Sequence, residues 1–157
     1  MARRFYVRVY IHLIWRTKHS RSLLSRPVED HVHRCLREFG KEMGLRPLGV
    51  NSAWDHTHSL FGWNSTVALS TAVKRLKGRT SCEWNKKIDA GDIEGPRLEW
   101  QRGYGAVSIH RSDIKATLRY IDRQKRHHAQ PTCDCLWREF EATKFDEHDD
   151  QSEQCAP

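Results

Sequence analysis

The first hydrophobic pattern in the chain is an alternation in which apolar side chains occupy every second position. Residues 4–16, RFYVRVYIHLIWR, place five such side chains on one parity: Phe5, Val7, Val9, Ile11 and Leu13. Alternation of β-branched and aromatic residues is typical of a β-strand. The other parity holds Tyr6, Tyr10, His12 and Ile14. The segment is therefore predicted to be a long strand with neither face wholly solvated.

Three later segments carry apolar residues three and four positions apart, which is the spacing of an amphipathic helix. The first begins at Ser25, has Pro27 in its first turn and ends at Gly44. The second begins near Ser65, and Ser112 caps a third that continues to about His128. Their apolar stripes run through Val28–Met43, Leu69–Leu76 and Ile114–Ile121, respectively.

Short strands are predicted between these helices. Residues 46–54 and 56–63 form two strands with a tight connection, residues 85–97 form a loop, and residues 98–109 form a further strand. The resulting order β-α-β-β-α-β-α indicates an α+β fold, a ferredoxin-like antiparallel sheet with helices packed on it. We expect one domain over residues 1–140, followed by an acidic, loosely ordered tail at 141–157.

Charge narrows the range of partners. The chain has a net charge of +7, and residues 1–140 hold 26 basic residues against 14 acidic ones. A body this basic favours a polyanion such as nucleic acid, although solubility alone would also account for it. The alternating N-terminal segment resembles neither a signal peptide nor a membrane span, so a cytoplasmic protein without membrane association is expected.

Histidine pairs with one intervening residue occur twice. His31 and His33 fall within the first predicted helix, where residues two apart diverge, so we expect them on the helix surface. His56 and His58, in DHTHSLF, fall within a predicted strand and point the same way. Two imidazoles on one strand face could form half of a divalent-cation site, or could simply line a polar face.

A tyrosine and a glutamine stand apart from the core stripe of the third helix. Tyr120, Gln124 and His127 lie within about 60° of one another at 100° per residue. A glutamine carbonyl oxygen suits a hard cation and a phenol can act as a nucleophile. An amphipathic tyrosine at a helix edge is the alternative. Cys133-x-Cys135 could be half of a further metal site, but its spacing matches no usual zinc pattern.

Five blocks in order along the chain make a family resemblance. The sequence resembles the single-tyrosine transposases of the HUH superfamily, which act on single-stranded DNA, and their REP-associated relatives. The matching blocks are IHLIWRTKHSRSLL, DHTHSLF, VKRLKGRTS, WQRGYGAVSI and RYIDRQKRHH. Together they cover roughly residues 5–130. Thr57 stands between the histidines where the family usually has a bulky apolar residue.

The resemblance implies an enzyme that cuts and rejoins single-stranded DNA at hairpin-flanked sites. Tyr120 would be the nucleophile that forms a 5′-phosphotyrosine link. His56, His58 and Gln124 would be the ligands of Mg²⁺ or Mn²⁺. The protein would act as a homodimer, with active sites that can be shared between subunits.

Basic residues on two helices are the candidate DNA contacts. The second helix supplies Lys74, Arg75, Lys77 and Arg79, and the tyrosine helix supplies Arg123, Lys125 and Arg126. Solvated helix faces are the alternative for both sets. Two other functions stay open: a non-catalytic or domesticated nucleic-acid-binding module of the same fold, and a hydrolase in which His56 and His58 activate water.

Overall fold

A computed structural model describes residues 6–127 of the chain. Within that range the strands are β1 (Val9–Arg16), β2 (Arg46–Ser52), β3 (His56–Trp63) and β4 (Gly105–Ser108). The helices are α1 (Arg26–Glu42), α2 (Leu69–Asp89), α3 (Ile114–Asp122) and α4 (Gln124–His127). Short 3₁₀ turns precede α1 and α3.

The four described strands form one antiparallel sheet in the order β2-β3-β1-β4. β1 and β3 are therefore the central strands, and they pair along their whole length with Ile14 opposite His58. The predicted α+β class, an antiparallel sheet with helices packed on it, is confirmed. The predicted partition into a 1–140 domain and an acidic tail at 141–157 extends outside the described residues, as do Cys133, Cys135 and His128.

The alternation within the central strands separates two apolar layers. Leu13, Trp15 and Phe61 pack with α1 and α2 in the main core, where all three are fully buried. The opposite parity sends Tyr10 and Leu60 against α3, where they meet Ile121. Both faces of β1 are therefore covered, as its sequence predicts. Helix α3, which carries Tyr120, packs on the face opposite to that covered by α1 and α2.

Helix α1 begins and ends where the sequence indicates. Ser25 is the N-cap residue and Pro27 lies in the first turn, where its missing N–H costs no helical hydrogen bond. Gly44 follows the helix with φ of +76°, a conformation that favours glycine, and its amide bonds to the carbonyl of Lys41 at 2.9 Å.

Helix α2 begins four residues later than predicted and extends into the segment predicted to be a loop. The late start follows from Asn64, whose side chain accepts from the amide of Thr66 at 3.1 Å and forms a turn. The extension to Asp89 follows from Trp84 and Ile88, which pack into the main core one turn apart. Of the predicted 85–97 loop, only residues 90–97 therefore lie outside the helix.

Strand β4 is also shorter than the predicted 98–109 strand. Trp100 makes a single bridge to Thr17, and the backbone then turns at Gly103, whose φ is +80°. Lys77 fixes this turn, because its ammonium donates to the carbonyls of Gln101 and Gly103 at 2.8 and 3.2 Å. The ladder to β1 resumes only at Gly105.

The helical histidine pair differs from expectation. His31 is buried, and its Nε2–H donates to the carbonyl of Thr80 on α2 at 3.1 Å. His33 is mostly buried and its Nε2 lies 2.8 Å from the hydroxyl of Ser52. The prediction that both lie on the helix surface is wrong, because α1 is covered by α2 on one side and by the sheet on another.

No helix in the described range is both long and apolar enough to cross a membrane.

Two helical glycines offer a test of the packing. A Cβ on Gly40 would lie 2.6 Å from the buried Phe61 ring, whereas a Cβ on Gly78 would meet nothing within 4 Å. Gly40→Ala should lower the free energy of unfolding by about 1–2 kcal/mol, since overpacking outweighs the gain in helix propensity. Gly78→Ala should raise it by about 0.5–1 kcal/mol. Urea denaturation of both variants checks this, and equal shifts would contradict the packing of α1 on β3.

The pKa of His33 provides a second test. Burial lowers it from 6.5 to about 4. Between these values the unfolded chain binds a proton that the folded chain does not, so the free energy of unfolding should fall as pH drops through this window. His33→Gln should reduce the fall by on the order of 1–3 kcal/mol. The measurement is urea denaturation across the window, with His19→Asn as an exposed control that should leave the fall unchanged.

Candidate active site

Strand β3 presents two histidines to the α3 side of the sheet. His56 and His58 are 1% and 0% exposed, and their ring centroids lie 5.0 Å apart. The intervening Thr57 points to the opposite layer, where it is buried and its hydroxyl donates to the carbonyl of Asn51 at 3.4 Å. The strand therefore places the histidine pair as its alternation predicts, and the polar group of Thr57 is hydrogen-bonded.

Each of these histidines is held through Nδ1. The carboxylate of Asp55 lies 2.7 Å from Nδ1 of His56, and Nε2 of His12 lies 3.0 Å from Nδ1 of His58. Metal-binding histidines usually have such a partner on the nitrogen that does not coordinate, because it fixes the tautomer and the ring orientation. If a cation binds, this arrangement favours coordination through Nε2 of both side chains.

His12 is a candidate functional residue that the sequence did not reveal. It is fully buried on β1, and burial lowers its pKa to about 4, so the ring is neutral at pH 7. A neutral His12 can accept at Nε2 from the Nδ1–H of His58, which fixes the tautomer of His58 with its lone pair on Nε2. The alternation of the sequence predicts which face of β1 carries His12. Its proximity to His58 depends on the pairing register of β1 with β3, which the alternation does not predict.

Tyr120 of α3 lies over this group. Its ring centroid is 5.6 Å from that of His58 and 6.1 Å from that of His12, and both contacts are edge-on. The side chain is half-buried. A single chain therefore brings its own tyrosine and its own histidines together.

Contacts with β2 fix the position of α3. The side chain of Asn51 donates to the carbonyls of Ile121 and Asp122 at 2.8 and 3.2 Å and so secures the end of the helix. Gly49 lies beneath Leu118, where a Cβ would come within 2.5 Å of that side chain. A glycine and an asparagine on the edge strand thus let α3 approach closely and determine where Tyr120 lies.

The helix predicted to carry both Tyr120 and Gln124 is broken between them. α3 ends at Asp122, and Gln124 begins the short α4, yet its Nε2 still donates to the carbonyl of Tyr120 at 3.0 Å. Gln124 is fully buried, and among the described residues its Oε1 has no hydrogen-bond partner. A buried amide oxygen without a partner is costly unless something such as a cation binds it.

The donor set therefore fits a divalent cation. Two imidazole nitrogens and one amide oxygen would provide three ligands of borderline to hard character, which would leave further positions for water or a substrate phosphate. The buried Oε1 of Gln124 favours cation binding, because a cation or another donor would supply the partner that the described residues do not provide.

The predicted basic residues lie on both sides of the sheet. Lys125 pairs with Glu29 of α1, and its ammonium is 5.6 Å from the ring centre of Trp54, an exposed side chain next to Asp55. Arg123 and Arg126 are exposed near the same end of α3. Of the three, Lys125 is the one that the structure places close to Trp54, two residues before His56.

The α2 set belongs to the opposite layer. Lys74 and Arg75 are exposed, and Arg79 pairs with Glu42 while lying over the ring of Phe39. Lys77 differs from its predicted role, because it is buried and its ammonium is hydrogen-bonded to two carbonyls of the turn before β4. It is a structural residue, and we exclude it from the candidate DNA surface.

Solved structures share this fold. A candidate transposase from Deinococcus radiodurans R1 aligns with a TM-score of 0.61 and 22% sequence identity, over 80% of this chain and 97% of that one. A REP-associated tyrosine transposase bound to a REP hairpin aligns with a TM-score of 0.57 and 14% identity, over 82% of this chain and 73% of that one. No curated protein sequence matches the chain.

The family comparison covers most of the chain. The family model described as "Transposase IS200 like" matches residues 5–124, from the segment just before β1 to Gln124. The match therefore includes His12, both histidines of β3 and Tyr120. The chain belongs to the IS200-like transposase family, and the resemblance to single-tyrosine transposases of the HUH superfamily predicted from its sequence is confirmed.

Proposed function

We propose that this transposase cuts and rejoins single-stranded DNA through a covalent bond between Tyr120 and a 5′-phosphate. The observation that supports the proposal is the position of Tyr120, whose ring lies edge-on to His58. Gln124 is tied to the same helix, because its Nε2–H donates to the carbonyl of Tyr120, and its buried Oε1 has no hydrogen-bond partner among the described residues.

The chemistry follows from the phenol. The Tyr120 oxygen attacks the phosphorus of a DNA phosphodiester, the bond from phosphorus to the 3′-oxygen breaks, and that oxygen leaves as a 3′-hydroxyl after gaining a proton. The phenol gives up its own proton. One phosphodiester replaces another, so a 3′-hydroxyl can later displace the tyrosine and join new ends without ATP.

His56, His58 and Gln124 would hold Mg²⁺ or Mn²⁺. A cation bound there would polarise the scissile phosphate and neutralise charge in the transition state. The chain itself supplies orientation: Asp55 and His12 fix the two imidazoles, and Asn51 holds the end of the tyrosine helix.

The substrate is proposed to be single-stranded DNA flanked by hairpins, since one structural neighbour was solved with a REP hairpin. Trp54 offers an exposed aromatic face next to the site on which an unpaired base could stack.

The proposed phosphate contacts lie on both layers, and they are Arg123, Lys125 and Arg126 near the site and Lys74, Arg75 and Arg79 on α2. A duplex hairpin could contact α2 while its single strand enters the site.

We propose a homodimer. Sharing of sites between its subunits is optional, because the tyrosine and the histidines of one chain already lie together.

A covalent-adduct assay tests the proposal. The protein is incubated with labelled single-stranded DNA that carries hairpins from its genomic flanks and with Mn²⁺, and is then run on a denaturing gel. We expect a labelled protein band that a chelator abolishes. Tyr120→Phe should remove the band because it deletes the nucleophile while keeping the ring. Tyr104→Phe, at a half-buried tyrosine packed against the main core, should keep it.

Two other outcomes would contradict the proposal. Hairpin binding without an adduct under any divalent cation would favour a non-catalytic binding module. Strand cleavage that survives Tyr120→Phe would instead favour a hydrolase in which the histidines activate water.

His12 provides a further prediction. His12→Leu removes the acceptor for the Nδ1–H of His58, so affinity for Mn²⁺ should fall by about 10–100-fold. His12→Gln offers an amide oxygen in nearly the same place and should retain much of the affinity. Isothermal titration measures both, with circular dichroism to confirm folding. Equal affinities for the leucine and glutamine variants would show that the hydrogen bond to His58 does not support cation binding.

A further inference from the structure

A second group of potential ligands lies on the other side of the sheet, between α1 and α2. His31 and Cys35 are one helical turn apart on α1, and Glu83 of α2 faces them. One potential ligand atom from each residue lies within 4.8 Å of the other two. The group does not take part in the chemistry derived above, since His56 and His58 face the opposite layer.

Hydrogen bonding determines which nitrogen of His31 can coordinate. A carbonyl oxygen only accepts, so the 3.1 Å contact between His31 Nε2 and Thr80 requires the proton on Nε2. The lone pair is therefore on Nδ1, 3.9 Å from the sulfur of Cys35. A histidine that donates one N–H to a backbone carbonyl and coordinates through the other nitrogen is the usual arrangement at protein metal sites.

The distances approach those of a tetrahedral zinc site. Zn–S and Zn–N bonds of about 2.3 and 2.0 Å at a tetrahedral angle place the two ligand atoms roughly 3.5 Å apart. The Cys35 sulfur is 3.6 Å from Oε2 of Glu83 and 3.9 Å from Nδ1 of His31. Both distances from the sulfur are therefore within a few tenths of an ångström of the separation expected between two ligands of one zinc ion.

Charge also supports this site. A thiolate and a carboxylate together neutralise a divalent cation, which limits the cost of placing it among buried groups. Arg79 lies 3.9 Å from Oε1 of Glu83, whereas Cys35 contacts Oε2, so Arg79 can orient the carboxylate. Arg34, 3.3 Å from Nδ1 of His31, would have to turn away, but it keeps its 2.9 Å ion pair with Glu38.

We propose that His31, Cys35 and Glu83 form a binding site for Zn²⁺ that links α1 to α2. On binding, the Cys35 thiol releases its proton to solvent and the sulfur–zinc bond forms. A cleft of about 540 Å³ opens beside His31 and is also lined by Asp30, Trp84 and Lys87. The site stabilises the helical layer, and it is independent of the proposed chemistry at Tyr120.

Cobalt substitution tests the site, because a cobalt–thiolate bond gives a charge-transfer absorption that histidine and amide ligands do not produce. The background is the full chain with Cys133, Cys135 and Cys155 changed to serine, so that the CxC motif and the terminal cysteine cannot contribute. One equivalent of Co²⁺ should give the thiolate band. Cys35→Ser should abolish it, and Cys82→Ser, at a half-buried cysteine one residue from Glu83, should leave it unchanged.

Glu83→Gln keeps the result decisive if Cys35→Ser fails to fold, since the Glu83 side chain is 39% exposed and its loss should be tolerated. This variant should lower affinity for Co²⁺ and Zn²⁺ by at least about tenfold. Loss of a residue that only supports a ligand already lowers metal affinity by about that factor, and Glu83 is proposed to be a ligand itself. Zinc should also raise the Tm of the background protein more than that of Glu83→Gln. Absence of the band in the background, or unchanged affinity in Glu83→Gln, would overturn the proposal.

Discussion

The antiparallel pairing of β1 with β3 is the constraint on which the active site depends. Its register sets Ile14 opposite His58, which brings His12, two residues back on the same face, within a hydrogen bond of that histidine. A slip of one residue would send every side chain of the strand to the opposite layer and leave His58 without its Nδ1 partner. The register is secured from the other side of the sheet, where Leu13, Trp15 and Phe61 are buried against α1 and α2. The core on one face thus positions the chemistry on the other.

The second requirement is the placement of α3. Its contacts with the rest of the chain are mainly with β2, through the hydrogen bonds of Asn51 and the close approach of Leu118 to Gly49. Only Ile121 of α3 is buried, whereas α1 and α2 each bury several residues. Under the proposed function, a nucleophile that bonds to DNA and later releases it would benefit from such a position, because local motion there would not disturb the main core.

Sequence patterns predicted the sheet, the three helical regions and the shared strand face of His56 and His58, because these depend on local periodicity or on short motifs. They did not predict His12, whose role depends on pairing between strands 46 residues apart. They placed His31 and Lys77 on helix surfaces, since a helical stripe defines only the most apolar face and not how far neighbouring elements extend around it. The end of helix α2 was predicted too early. Trp84 and Ile88 follow polar residues, and two glycines and a proline lie downstream, so this segment has the composition of a loop.

The most direct test of the account is a crystal structure of the protein with Mn²⁺, in which anomalous scattering locates the ion. We expect one peak between β3 and the tyrosine helix, about 2.0–2.3 Å from Nε2 of His56, Nε2 of His58 and Oε1 of Gln124. Nδ1 of His58 should remain bonded to His12. Coordination through Nδ1 of either histidine, or a manganese ion bound elsewhere while Gln124 stays buried and uncoordinated, would contradict the central claim that these side chains form a prearranged metal site.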